Sequence, residues 1–116
     1  MLAFLLALAA LADDKPLTPV EAVERASELT KDALSVIAQS APAPVARSEV
    51  MKALTRLGYD ATDATKKAVV NGLDALADAT DGDVVKRLEG RRNSIVYEMN
   101  SAVAKQLLRA LRDSRR

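Results

Sequence analysis

The sequence contains no cysteine and no histidine. Without cysteine there is no disulfide, no thiolate nucleophile and no sulfur donor for zinc. Without histidine, the side chain most often used as a general base near neutral pH is missing, together with the usual nitrogen ligand of a metal. The lack of cysteine does not fix the redox compartment, because cytosolic and exported proteins both occur without it. Aromatic residues are scarce as well, one Phe and two Tyr among 116 residues, so any core is thin and filled mainly by aliphatic side chains. Net charge is nearly absent, +1 at pH 7, which excludes a global electrostatic pull toward nucleic acid or anionic lipid.

What is present is alanine, leucine and valine. Nearly half of the residues are apolar, a globular composition rather than a disordered one. Alanine and leucine are strong helix formers, and β-branched and aromatic clusters are few. The expectation is an all-α fold, a bundle of four or five helices in a single domain over residues 13–116, preceded by an apolar segment over residues 1–12. Helices are predicted over 19–39, 45–57, 61–79, 83–89 and 94–113.

The apolar opening, MLAFLLALAALA, ends in Ala10-Leu11-Ala12 before Asp13. That small-x-small pattern after an apolar run resembles a signal-peptidase site and favours export or an envelope location. The run is too short to span a membrane; a helix buried against a partner or a neighbouring copy and a simple extension of the domain core are the competing readings. In LTPVEAVERASELTKDALSVIAQS, Thr18, Pro19 and Glu21 form a capping-box signal. Val20, Val23, Ala26, Thr30, Ala33 and Ile37 then repeat at helical spacing. Pro42 and Pro44 end that helix, leaving residues 40–44 as the linker candidate. Gly58 has the position of a left-handed helix end, with Tyr59 packing back on Leu54. Asn71-Gly72 has the look of a hairpin turn, but helical spacing continues on both sides, so the glycine is expected to let another helix come close. Asp81 is expected to cap the next helix, and Gly90 with the following Arg-Arg-Asn-Ser interrupts the last region.

Carboxylates are the only candidate catalytic groups. The pairs Asp60 with Asp63, Asp74 with Asp78, and Asp81 with Asp83 all fall at helix starts or on polar helix faces, where negative charge is favourable for structural reasons. The stretch from Asp78 to Glu89 has the length of a calcium loop, but its glycine falls one place early and Thr80 and Gly82 occupy ligand positions. No phosphate-binding loop, nucleophile elbow or metal motif occurs. No enzyme and no cofactor are expected. Charge is uneven: residues 60–83 hold six aspartates against Lys66 and Lys67, and residues 105–116 hold five basic residues against Asp113. Arg91, Arg92, Lys105, Arg109 and Arg112 are the candidates for an anionic partner, although the aromatic readers of a nucleic-acid site are missing.

The run VMKALTRLGYDATDATKKAV resembles the first two helices of ubiquitin-associated-type small helical domains, the group that includes the C-terminal domain of the RuvA type. A helix ending in Leu57-Gly58-Tyr59, with Ala64 five residues beyond the aromatic, carries the likeness. Ala68-Val69 comes one residue later than in that group. The resemblance covers residues 50–69 and implies a loop around Gly58 and Tyr59 that touches protein partners.

Long apolar faces on a short chain point to protein–protein contact. The expected function is a non-enzymatic structural or assembly subunit binding a protein partner or its own copies. The expected contacts are Leu2, Phe4, Leu5 and Leu8 at the start and Ile95, Met99, Val103, Leu107 and Leu111 near the end. The alternatives are an exported envelope protein acting as a carrier or chaperone-like binder, and a small nucleic-acid-associated factor using the basic C-terminal half. Peripheral membrane contact is compatible with that basic helix; a transmembrane span is not expected.

Overall fold

The computed structural model describes residues 17–90, 92 and 94–115. It is a mostly helical protein with a small antiparallel sheet. The first helices are α1 (Pro19–Arg25) and α2 (Glu28–Ser40). The capping box forms as the sequence signals: Thr18 Oγ1 accepts from the Glu21 N–H at 3.2 Å, and Glu21 Oε1 accepts from the Thr18 N–H at 3.0 Å. The single helix expected over 19–39 is instead two. Ala26 is extended, and Ser27 caps α2 by accepting from the Thr30 N–H at 3.2 Å. A serine hydroxyl competing for backbone N–H groups offers the chain a second helix start, which an apolar repeat running through it conceals. The break turns α1 across the last helix, while α2 becomes the central helix of the molecule.

After the proline-containing linker come β1 (Val45–Ala46) and α3 (Arg47–Arg56). Gly58 ends α3 in the left-handed region at φ +106°; its N–H reaches Thr55 O at 3.0 Å and that of Tyr59 reaches Leu54 O at 3.2 Å. This is the Schellman ending expected from Leu-Gly-Tyr. Helix α4 (Asp63–Ala79) starts at a Thr62 cap and runs unbroken through Asn71-Gly72. A Cβ at Gly72 would collide with Thr30 Oγ1 of α2 and lie 3.3 Å from its Cγ2, so the glycine does allow the two helices to approach.

The all-α expectation fails first at β1, where Val45 and Ala46, the start of the helix expected over 45–57, pair with β3 instead, and more fully beyond α4. Asp81 does not cap a helix; it is the left-handed residue (φ +52°) that closes α4, its N–H bonded to Asp78 O. Residues 83–89, expected to be helical, contain the consecutive buried pair Val84 and Val85 and then β2 (Lys86–Glu89). The start of the expected 94–113 helix is β3 (Ile95–Glu98), and α5 (Ser101–Ser114) begins only after it, capped by Asn100. Strands β2 and β3 form an antiparallel hairpin pairing Arg87 with Tyr97 and Leu88 with Val96. On its other edge β3 pairs with β1, Val45 opposite Tyr97, giving the order β1-β3-β2. Two β-branched residues and a tyrosine in four positions are strand formers, and the sheet gives their backbone polar groups partners that an isolated helical turn next to Gly90 could not.

The core joins Leu34 and Ile37 of α2, Leu54 of α3, Leu73 of α4, Tyr97 of β3 and Leu107 of α5, all fully buried. Each aliphatic member contributes about 1.5–3 kcal/mol by leaving water.

Candidate functional site

Tyr97 sits mid-strand in β3 with its ring completely buried. Two features aim polar groups at its hydroxyl. The β1–β3 pairing puts Arg47, first residue of α3, beside the strand, and α4 brings Asp74 to the same point. Arg47 donates to the Tyr97 oxygen from Nε at 3.0 Å and from Nη2 at 2.7 Å, and Nη2 also reaches both Asp74 oxygens at 3.2 and 3.3 Å. The Tyr97 hydroxyl donates to Asp74 Oδ1 at 2.9 Å. Arg87, directly opposite Tyr97 on β2, completes the cluster by donating to Asp74 Oδ2 at 3.1 Å. Burial pushes the Tyr97 phenol up to about 12, with the Asp74 hydrogen bond adding to the rise and Arg47 opposing it. Tyr97 is therefore a neutral phenol at physiological pH. Two guanidiniums share one carboxylate, and the result is a fastening of α3, α4 and the sheet.

Next to this cluster lies an open cleft of about 630 Å³. Its apolar lining is Ala46, Met51, Val70 and Ile95; Ser48, Ser94, Arg47 and Lys66 supply its polar rim. No acidic residue is among the lining residues. Lys66 is exposed, and its side chain makes no ion pair or hydrogen bond among the described residues. The volume is that of an ordinary ligand or anchor-residue pocket.

A second cluster is centred on Asp32 of α2. The Tyr59 hydroxyl donates to Asp32 Oδ2 at 2.5 Å, and Arg115 Nη2 donates to Asp32 Oδ1 at 2.5 Å and to Glu28 Oε2 at 3.5 Å. The hydrogen bond to Asp32 is the main cause of a raised Tyr59 pKa. This arrangement ties the loop after α3 and the end of α5 to the central helix.

The structure divides the residues expected to meet a partner. Met99, Leu107 and Leu111 are buried in the chain's own core and are not available to another molecule, because Asn100 caps a helix that folds back on α1 and α2. Val103 is half-buried against the same core. Ile95 alone lines the cleft. Leu2, Phe4, Leu5, Leu8 and Arg91 lie outside the described residues. Arg92, Lys105, Arg109 and Arg112 are exposed. The pairing of Asp74 with Asp78 does not form a site, since Asp74 belongs to the tyrosine cluster and Asp78 is exposed. Among the described residues no group of three or more acidic side chains is placed to hold a metal ion, and no helix is long and apolar enough to cross a membrane.

Sequence reasoning missed Arg47, Tyr97, Arg87, Met51, Val70 and Lys66 as neighbours. A signal was present in two short runs, KRLE and IVYE, flanking a glycine-containing turn, which is a hairpin pattern. The class the fold defines is a mostly helical protein with a three-stranded antiparallel sheet and an apolar, cation-rimmed cleft between them. Neither the family models, the curated proteins nor the solved structures compared with this chain give a match.

Proposed function

We propose that this protein is a non-enzymatic interaction subunit, and that it binds an apolar segment of a protein in the cleft between α3, α4 and β3. The observation that carries this reading is the cleft's composition. Its lining offers Met51, Val70 and Ile95 to a bound segment, and methionine with branched aliphatics adapts to a partner's side chains without bringing a reactive group. The neighbouring polar cluster supports a binding role, since Tyr97, Asp74 and Arg47 satisfy one another and hold the cleft walls in register. A second surface fits the same function. Leu57 is 61% exposed at the end of α3, in the loop for which the resemblance to ubiquitin-associated-type domains implies partner contact.

A photo-crosslinking residue placed at Val70, with Glu24 as a remote control, tests the reading in the native host. The expected result is one dominant protein adduct from position 70 and none from position 24. A turnover reaction abolished by Asp74→Asn in a fully folded protein, or no adduct from position 70 at any concentration, overturns it.

A further inference from the structure

We infer that the free edge of β2 pairs with the same edge of a second copy of this chain, in one antiparallel register centred on Leu88. In the hairpin the Gly90 N–H donates to Ser94 O at 2.6 Å, and the β2–β3 register continues from there as Leu88 with Val96 and Lys86 with Glu98. Hydrogen-bonded pairs alternate along an antiparallel ladder, so these pairs are the bonded ones, and the backbone N–H and C=O of Arg87 and Glu89 face away from β3. Strand β2 is the last of the sheet on that side, and no backbone group outside the sheet bonds to Arg87 or Glu89 among the described residues. Lys86, Arg87 and Glu89 are exposed. An unpaired edge of this kind is a template for one more strand. Residues Lys86–Glu89 do not line the cleft, so this contact and the docking reading stand or fall separately.

Charge pattern selects the occupant. A two-fold axis through Leu88 sets Arg87 opposite Glu89 of the second copy, and Glu89 opposite its Arg87. Both are outward-facing positions, so each pair exchanges two backbone hydrogen bonds and adds an ion pair. The Glu89 carboxylate has no ion pair among the described residues, and the Arg87 side chain, although bonded to Asp74, is 50% accessible. Leu88 then meets Leu88 of the other copy in a non-hydrogen-bonded pair, where side chains come closest, extending the half-buried row of Ala46, Val96 and Leu88 across the sheet. The two neighbouring registers that keep the hydrogen bonds oppose Arg87 to Arg87 or Glu89 to Glu89, and like charges disfavour both. The chain's own residues 1–16 do not match this edge. As an antiparallel strand they would need a base two positions before an acid, and none stands so. Run parallel, Asp13 and Lys15 would match, but Leu17 would then continue past Glu89. Its N–H is instead fixed to Ala79 O, at the helix end that lies beside Lys86 at the start of β2. The two-fold closes the pair, and the product is a dimer with a continuous six-stranded sheet.

Single-cysteine crosslinking of the full chain reads the register, because the native sequence has no cysteine. Leu88→Cys places its thiol at the two-fold axis, where opposed Cα atoms are about 4.5 Å apart and within disulfide range. Lys86→Cys is the control, four strand positions from its mate, about 13 Å along the strand. In a glutathione redox buffer the first is expected to give a disulfide-linked dimer and the second a monomer. In sedimentation, Glu89→Arg opposes like charges in both pairs and should weaken the native dimer roughly tenfold. Circular dichroism checks that each variant folds, and the leucine and glutamate variants read the same pairing independently. Amide exchange of the native protein should show Arg87 and Glu89 gaining protection as concentration rises. A chain that stays monomeric at high concentration, equal crosslinking from both positions, or a dimer indifferent to Glu89→Arg overturns the inference. So does full protection of the Arg87 and Glu89 amides in dilute monomer, the result expected if the chain's own segment covers the edge.

Discussion

Tyr97 shows how much one hydroxyl does here. It accepts two hydrogen bonds from Arg47 and donates one to Asp74, inside a core that excludes water. Removing it by Tyr97→Phe leaves a charged pair short of a partner, and the expected loss is about 1–3 kcal/mol in urea unfolding. The same residue sets an alkaline limit on stability. Its folded pKa is raised from the ordinary phenol value to about 12, so the neutral phenol is the form the fold favours. The stabilisation is complete below pH 10 and is lost as pH rises through about 12. Unfolding free energy measured from pH 9 to 12 should fall for the native protein more steeply than for Tyr97→Phe. Ultraviolet titration should show a tyrosinate appearing above the ordinary range, with Tyr59, also raised, contributing to the shift.

At the level of elements, the α2–α4 contact decides an apparent conflict between propensity and packing. Alanine is a better helix former than glycine by about 1 kcal/mol, so Gly72→Ala on an isolated α4 would stabilise. In the protein the new methyl collides with Thr30, and overpacking of this kind costs about 1–3 kcal/mol. Gly72→Ala is therefore expected to lower the denaturation midpoint. Adding Thr30→Ala, which clears the space, should recover most of the loss and show a coupling energy in a double-mutant cycle. The other element boundaries follow from caps. Those at Thr18 and Gly58 could be read from the chain because each is a local side-chain or backbone hydrogen bond within a few residues, whereas the start of α4 could be placed only at Asp60 or Thr62, and Thr62 caps it. The break at Ser27 was hidden because its cap sits inside a continuous apolar repeat.

For the molecule as a whole, the Asp74 carboxylate is the meeting point of α3 through Arg47 and of the sheet through Arg87 and Tyr97. Asp74→Asn keeps the shape and removes the charge, leaving two guanidiniums facing an amide. The pair is partly exposed, with side chains 28% and 23% accessible, so the expected cost is about 2–3 kcal/mol, below that of a fully buried pair. Calorimetry should show a lower melting temperature with a single transition. The cleft beside the cluster should loosen as well, and binding at Val70 should weaken in this variant even where the fold survives.

Composition and local spacing determined that the chain is mostly helical and where three of its helix ends lie, since each of these depends on residues within a turn or two of one another; that Thr30 is what packs on Gly72 was decided by the tertiary structure. They also carried the ingredients of the cleft without its location. Only the tertiary structure decided that Lys86–Glu89 and Ile95–Glu98 pair as antiparallel strands and that Arg47 meets Tyr97 across fifty positions of sequence. It also decided that Met99, Leu107 and Leu111 belong to the chain's own core. Strand pairing and burial are settled by partners distant in the chain, and a short apolar stretch fits a helix or a strand equally well until the surface it packs against is fixed.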